Sequence, residues 1–268
     1  MAPRRRVLAV VAVLLVVACG RVQAQDGGLR SHTHGYVTVG VSLWYPPFGF
    51  PLATGGWSGL DVAFAHDLAT VMFGDPSNVR LLPLSPGDRL AALDAGEVDV
   101  VAAGFSHPSN TMAGVILVGP YFSAPMAVAT RIGTVHDWAD LDGELVAYMV
   151  GTNPRSALAA VLPQGVHPVY VAFASLAAAV HDVTLGRIAA LVGPEPTIEA
   201  LVERDSGLAS RNLPTSVPRE QFWVMVRPGD SALVHSVHEA IARLPQGPAL
   251  QTAIAAWNRE ALGSTPPL

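Results

Sequence analysis

Four short polar stretches, each directly behind an apolar run, hold the residues able to grip a small molecule. They are "WYPPF" (44–48), "GFSHPSNT" (104–111), "GTN" (151–153) and "GPEP" (193–196). In the first, Trp44 and Tyr45 stand beside two prolines that stiffen the turn and fix the rings. The second offers Phe105, Ser106, Ser109, Asn110 and Thr111 with no full charge, so it can bond a neutral polar group. The third precedes a helical pattern, where Asn153 can cap and Pro154 can open the first turn. Free amides around Thr152 and Asn153 then suit an anion. In the fourth, Glu195 reads equally as a partner for a cationic group and as a solvated first-turn acid.

The rest of the chain excludes several chemistries. All sixteen basic residues are arginine. With no lysine there is no Schiff base, lysine general base or Walker-type phosphate lysine. Net charge is −5 and the only basic run is Arg4 to Arg6, so no nucleic-acid face is legible. His235 and His238 share a helix face without a third ligand, His32 and His34 fall outside the folded pattern, and His107 reads as a turn residue. No metal or cofactor is therefore expected.

Half the residues are apolar and 14% charged, which supports a large core. "MAPRRR" followed by "VLAVVAVLLVVA" reads as a signal segment over residues 1–24, too short an apolar run to span a bilayer. "VVAC" resembles a lipobox with Cys19 as the acylated residue, while "VQA" before Gln25 resembles an ordinary cleavage site; the position of the single cysteine favours lipidation. Residues 25–36 read as a tether.

From Tyr36 onward, strand and helix patterns alternate. "VTVGVSL", "VRLLPL", "VDVVAAG", "ELVAYMVG", "PVYVAF", "IAALVG" and "QFWVMVR" read as strands. Leu60, Phe64, Leu68 and Val71 form a helical stripe that Gly74 closes, and further helices open near Asp88, Pro154, Ser175, Asp230 and Pro248. This α/β alternation implies parallel sheets whose ligands bind beyond the carboxyl ends of the strands, where the four polar stretches lie.

The pieces "VGVSLWYPPFGF", "GLDVAFAHDLA", "DRLAALDAGEVDVVAAGFS", "GPYFSAP", "DLDGELVAYMVGT", "GRIAALVG" and "FWVMVRPGDSALVHSVHEAI", in that order, resemble the family-3 extracellular solute-binding proteins, receptors of polar amino acid ABC importers. The resemblance implies a two-lobed periplasmic-binding-protein fold of type II with a two-strand hinge. Lobe 1 would comprise 37–125 and 222–262, lobe 2 would comprise 126–221, and 263–268 would be a tail. It also implies ligand contacts from Trp44, Tyr45, Phe105, Ser106, Thr111, Thr152, Asn153 and Glu195. Two departures stand out. The family's arginine five residues beyond the Ser is Thr111 here, and its Asp after the "IAALVG" strand is Pro194, followed by Glu195. A neutral Thr cannot fork onto a carboxylate as Arg does. These departures predict an amino-acid-like ligand that is not a standard zwitterion.

The expectation is thus an extracytoplasmic, monomeric, non-enzymatic receptor, lipid-anchored if Cys19 is acylated, that delivers a small polar solute to an ABC permease. One alternative is a periplasmic cyclohexadienyl (prephenate or arogenate) dehydratase on the same scaffold, with Glu195 or Glu199 as its acid. Another is a sensor lipoprotein without transport.

Overall fold

The computed structural model describes residues 34–106 and 114–260. Two five-stranded sheets form the two lobes that the family resemblance implies. The first contains β1 (Val37–Ser42), β4 (Val79–Leu84), β5 (Val100–Ala102), β6 (Ile116–Ala124) and β12 (Glu220–Val226), in the order β4-β1-β5-β12-β6. The second contains β7 (Met126–Arg131), β8 (Leu145–Met149), β9 (Val169–Phe173), β10 (Ala190–Pro194) and β11 (Leu208–Asn212), in the order β11-β7-β10-β8-β9. A small ribbon, β2 (Phe50–Pro51) with β3 (Trp57–Ser58), flanks the first.

The chain crosses between the sheets twice, at Pro125 between β6 and β7 and again between β11 and β12. The four strands they join all pair antiparallel with their neighbours, which the alternation of apolar runs did not reveal. β12 opens at Glu220, two residues before the expected boundary, because its backbone already pairs with Ala124 there.

Helices cover the sheets where glycine and capping signals predict. Helix α1 (Leu60–Phe73) buries Leu60, Phe64 and Leu68 completely. It ends on Gly74 at φ 75°, a left-handed conformation glycine adopts without strain. Helix α2 (Arg89–Asp94) joins β4 to β5, and α3 (Arg155–Ala159) follows β8. Helix α4 (Leu176–Thr184) is capped by Ser175, whose Oγ accepts the Ala178 amide at 3.3 Å. Helices α5 (Glu195–Val202), α6 (Ser231–Arg243) and α7 (Gln246–Glu260) complete the fold. Asp230 caps α6 by accepting the Leu233 amide at 2.9 Å.

The order of strands places the site. In the first sheet β1 lies between β4 and β5, so successive crossovers leave it in opposite directions; β8 lies likewise between β9 and β10. Such reversals open a crevice beyond the strands' carboxyl ends. The two crevices face one another, with residues 42–48 at one and 149–153 at the other.

Candidate functional site

The Trp44–Phe48 turn is fixed from below. Tyr45 N donates to Gly49 O at 2.7 Å and Phe48 N to Tyr45 O at 2.7 Å. The first amides of α1 bond the turn's carbonyls, Leu60 to Pro47 at 3.0 Å and Asp61 to Phe48 at 2.9 Å. Phe48 is fully buried and stacks under Tyr45 with ring centroids 5.1 Å apart, and it meets Phe222 at 4.5 Å. Trp44 is half-buried, edge-on to Trp257 at 5.5 Å.

A buried polar chain ties this turn to its neighbours. Asp61 accepts the Ser42 amide at 3.1 Å and the Tyr121 hydroxyl at 2.6 Å, and Tyr121 Oη accepts the Gly104 amide at 3.2 Å. The ends of β1, β5 and β6 are thereby held to one carboxylate. Burial raises the Asp61 carboxyl to about 6, against the pull of these hydrogen bonds and of Arg89. Gly104, at φ 58°, lets the backbone pass beneath the Tyr45 ring; a Cβ there would stand 2.7 Å from Tyr45 Cδ1.

The lobes meet across residues 150–153. Ser106 N donates to Gly151 O at 3.0 Å. The Asn153 amide reaches both Ser106 Oγ at 3.1 Å and Glu220 Oε1 at 3.0 Å. Glu220 is 9% exposed, its Oε2 lacks a partner, and burial pushes its carboxyl up. On the other side of the same turn, Arg89 Nη1 lies 3.5 Å from Val150 O. Gly151 sits at φ 86°, and a Cβ there would collide with the Arg89 guanidinium.

This closed contact separates two cavities. One, of about 80 Å³, is lined by Ser42, Trp44, Tyr45, Ser85, Arg89 and Ser175 among others. The second, of about 590 Å³, is lined by residues that include Ser106, Asn153, Arg219, Glu220 and Trp223. The expected ligand residues are therefore split: Trp44 and Tyr45 face the first cavity, Ser106 and Asn153 the second. Tyr45 is 4% exposed and its hydroxyl has no partner.

Three other expected residues point elsewhere. Phe105 packs in the lobe-1 core with Leu93 and Met225, and its carbonyl accepts the Trp223 amide at 2.8 Å. Thr152 Oγ1 donates to Met149 O at 2.7 Å, within its own turn. Glu195 opens α5; its amide donates to Pro125 O at 2.8 Å and its carboxylate accepts from Asn212 Nδ2. None of the three lines either cavity. Asn153 is no side-chain cap: α3 starts at Arg155 and spans only five residues, so Pro154 holds the cap position and Asn153 acts through its amide. Thr111 and Cys19 lie outside the described residues.

Arg89 was not among the expected site residues. It is 4% exposed, and its Nε has no hydrogen-bond partner. Two signals could have found it. A cation in a helix's first turn opposes the macrodipole, and "GDRLAAL" directly follows the end of β4, where a strand-end site is expected. Among the described residues no group of three His, Cys, Asp or Glu side chains could hold a metal ion.

Comparison with known proteins agrees with this geometry. The sequence pattern of the bacterial extracellular solute-binding proteins, family 3, matches residues 37–260. YhdW of Escherichia coli, which carries a provisional amino-acid ABC transporter-binding name, is 34% identical over 155 residues; the match takes in 54% of this chain and 43% of that protein. The chain thus spans less than half of that relative's length. The L-cystine-binding protein TcyJ of E. coli is 28% identical over 95% of both chains. Among solved structures, the solute receptor for L-cysteine of Neisseria gonorrhoeae superimposes with a TM-score of 0.70 at 22% identity, covering 88% of this chain and 96% of that one. At that identity the likeness speaks to the fold, and the fold is the two-lobed one the strand order builds. The chain belongs to the bacterial extracellular solute-binding proteins, family 3.

Proposed function

We propose that this protein is the extracytoplasmic receptor of an ABC importer, capturing a small amino-acid-like solute between its lobes and presenting it to a membrane permease. One observation carries the reading: the switch-point crevices of both sheets face each other, and unpartnered buried polar atoms of Tyr45, Arg89 and Glu220 lie along their seam. Buried polar groups without partners are rare in a finished fold and call for an explanation, which a solute in the crevice would supply for these three. The names of the relatives, for amino acids, cystine and cysteine, support the solute class.

The mechanism is differential binding. A solute that touches both lobes stabilises the closed arrangement over the open one by the difference in contacts. The small cavity, about 80 Å³, lies well below the ~300 Å³ at the lower end of ligand pockets, so admission requires the lobes to part.

The expected absence of full zwitterion recognition rested on two departures, Thr111 in place of the family's arginine and Pro194 in place of its Asp. Arg89 bears on it directly, since α2 delivers a guanidinium to the same seam. The dehydratase alternative gains no support from the geometry: Glu195 is engaged by Asn212, and Glu199 lines neither cavity.

Thermal unfolding with L-cystine, L-cysteine, L-glutamate and L-arginine at 1,000 times a micromolar-range Kd tests the reading. A bound solute adds about 4 kcal/mol of stability under that condition. A transition that none of these solutes, nor a wider panel of small polar solutes, displaces would refute it.

A further inference from the structure

The larger cavity, about 590 Å³, has the size of a small-molecule pocket, and its wall holds an acid that none of the four strand-end stretches supplies. Glu220 opens β12, the strand by which the chain re-enters lobe 1, and pairs there with Ala124 at the end of β6. Its backbone belongs to the crossover, while its side chain lines the cavity. The residue is 9% exposed. Oε1 accepts the Asn153 amide at 3.0 Å, and Oε2 has no partner.

No cation compensates this carboxylate among the described residues, where the ion pairs are Arg187–Asp182, Arg227–Asp99 and Arg243–Glu239. Arg219, its chain neighbour, also lines the cavity but turns its Nε and Nη2 to Ser123, at 3.2 and 2.6 Å. Burial raises the Glu220 carboxyl, and only the Ser106 hydroxyl and the Asn153 amide pull it back; no positive charge contributes. The Tyr45 phenol, raised first by its own burial, is raised further by Glu220. A buried carboxylate without a cation is costly, and Oε2 keeps its acceptor capacity at the cavity wall. The same wall carries Ser156 and Gln221, whose side-chain oxygens can accept further N–H groups of a cation, and Trp223, the ring type that cations prefer.

We infer that the larger cavity is a cation subsite built on the crossover strand: a protonated amine or guanidinium of the solute pairs with Glu220 Oε2. Glu220 spans the junction of the lobes, with its backbone on Ala124 and its Oε1 on the lobe-2 amide of Asn153. A cation on Oε2 is therefore held where the lobes join, and its charge is read at the contact that closes them. The inference rests on the receptor reading and narrows it to solutes that carry a basic group.

Two measurements on the full chain test it. The first needs no ligand. Glu220→Gln keeps the shape and the acceptor for Asn153 and removes the charge. At mildly alkaline pH, above the raised carboxyl, the ligand-free variant should unfold at a higher temperature than the wild type. A lower transition than wild type would make Glu220 a structural clamp on Asn153 and overturn the inference. The second is titration calorimetry with solutes matched in all but one basic group. L-arginine against L-citrulline reports a side-chain cation; L-glutamate and L-cystine against their des-amino analogues report an α-ammonium. The wild type should prefer the cationic member of at least one pair by roughly tenfold or more, and Glu220→Gln should bind both members of that pair within about twofold. A preference that survives in Glu220→Gln, or a wild type indifferent to every pair, would sink the cation subsite while leaving the receptor reading intact. A wild type that binds no small solute refutes the receptor reading, and the ligand-free comparison then still decides the role of Glu220.

Discussion

The two faces of the seam are made of different material. Lobe 1 contributes side chains: Tyr45 stacked on Phe48, Arg89 from α2, Ser106, Glu220, and the Asp61–Tyr121–Gly104 chain beneath them. At the contact between the lobes, lobe 2 contributes backbone, the carbonyls of Val150 and Gly151 and the amide of Asn153, while its Ser175 and Ser156 line the cavities to either side. A face of side chains can distinguish one solute from another, because it offers particular charges and rings. A face of peptide groups can close on many solutes, since every peptide group is alike. The difference assigns selection to lobe 1 and closure to lobe 2, and it can be broken from either side.

The largest effect lies in lobe 1. Phe48→Ala removes the fully buried ring that supports Tyr45 and touches Phe222, and should cost about 3–5 kcal/mol in chemical denaturation, with Tyr45 losing its fixed orientation.

Next is the buried acid. The folded-state value of Asp61 is about 6 against an ordinary 3.8. A raised acid binds protons more tightly when folded, so stability falls as pH rises through that window and is regained on acidification from 7 toward 4. The swing from this group is up to roughly 3 kcal/mol, and the raised Glu220 carboxyl acts in the same direction. Asp61→Asn should flatten the profile between pH 4 and 7, as measured by urea midpoints. An unchanged slope would assign the dependence to other groups.

The smallest expected effect is on the lobe-2 face. Gly151→Ala forces a Cβ into a left-handed backbone position and against Arg89. It should lower the stability of the ligand-free protein by about 1–3 kcal/mol, weaken solute binding where closure needs the same turn, and leave the order of preference among solutes unchanged. A changed order would place selection in lobe 2 as well.

How much of this was legible beforehand follows the same division. The backbone face could be read, because "VGTN" after an apolar run announces a strand end and a turn. Most strands and the helix ends at Gly74, Ser175 and Asp230 were legible from periodicity and capping residues, whereas the two lobes came from the family resemblance. The side-chain face was legible only in part. Tyr45 stood next to prolines that mark a turn, whereas Arg89 lies on a six-residue helix, where one arginine beside Asp88 reads as a solvated surface pair. What makes it a site residue is burial against the other lobe, a contact 61 residues away in sequence that no local pattern encodes. The strands β6, β7 and β11 were missed for a related reason: they run between or near the lobes and carry Gly119, Pro120 and charged ends that interrupt a strand pattern.

Closure itself is the most direct test. Spin labels at Glu97→Cys in lobe 1 and Glu144→Cys in lobe 2, both exposed and at the outer ends of their sheets, report the inter-lobe distance in a chain with Cys19 replaced by Ser. Saturation with a solute identified by the stability panel should shift the distance distribution to its shorter edge and narrow it. A distribution identical with and without bound solute would contradict closure by the two lobes and the division of labour drawn from it.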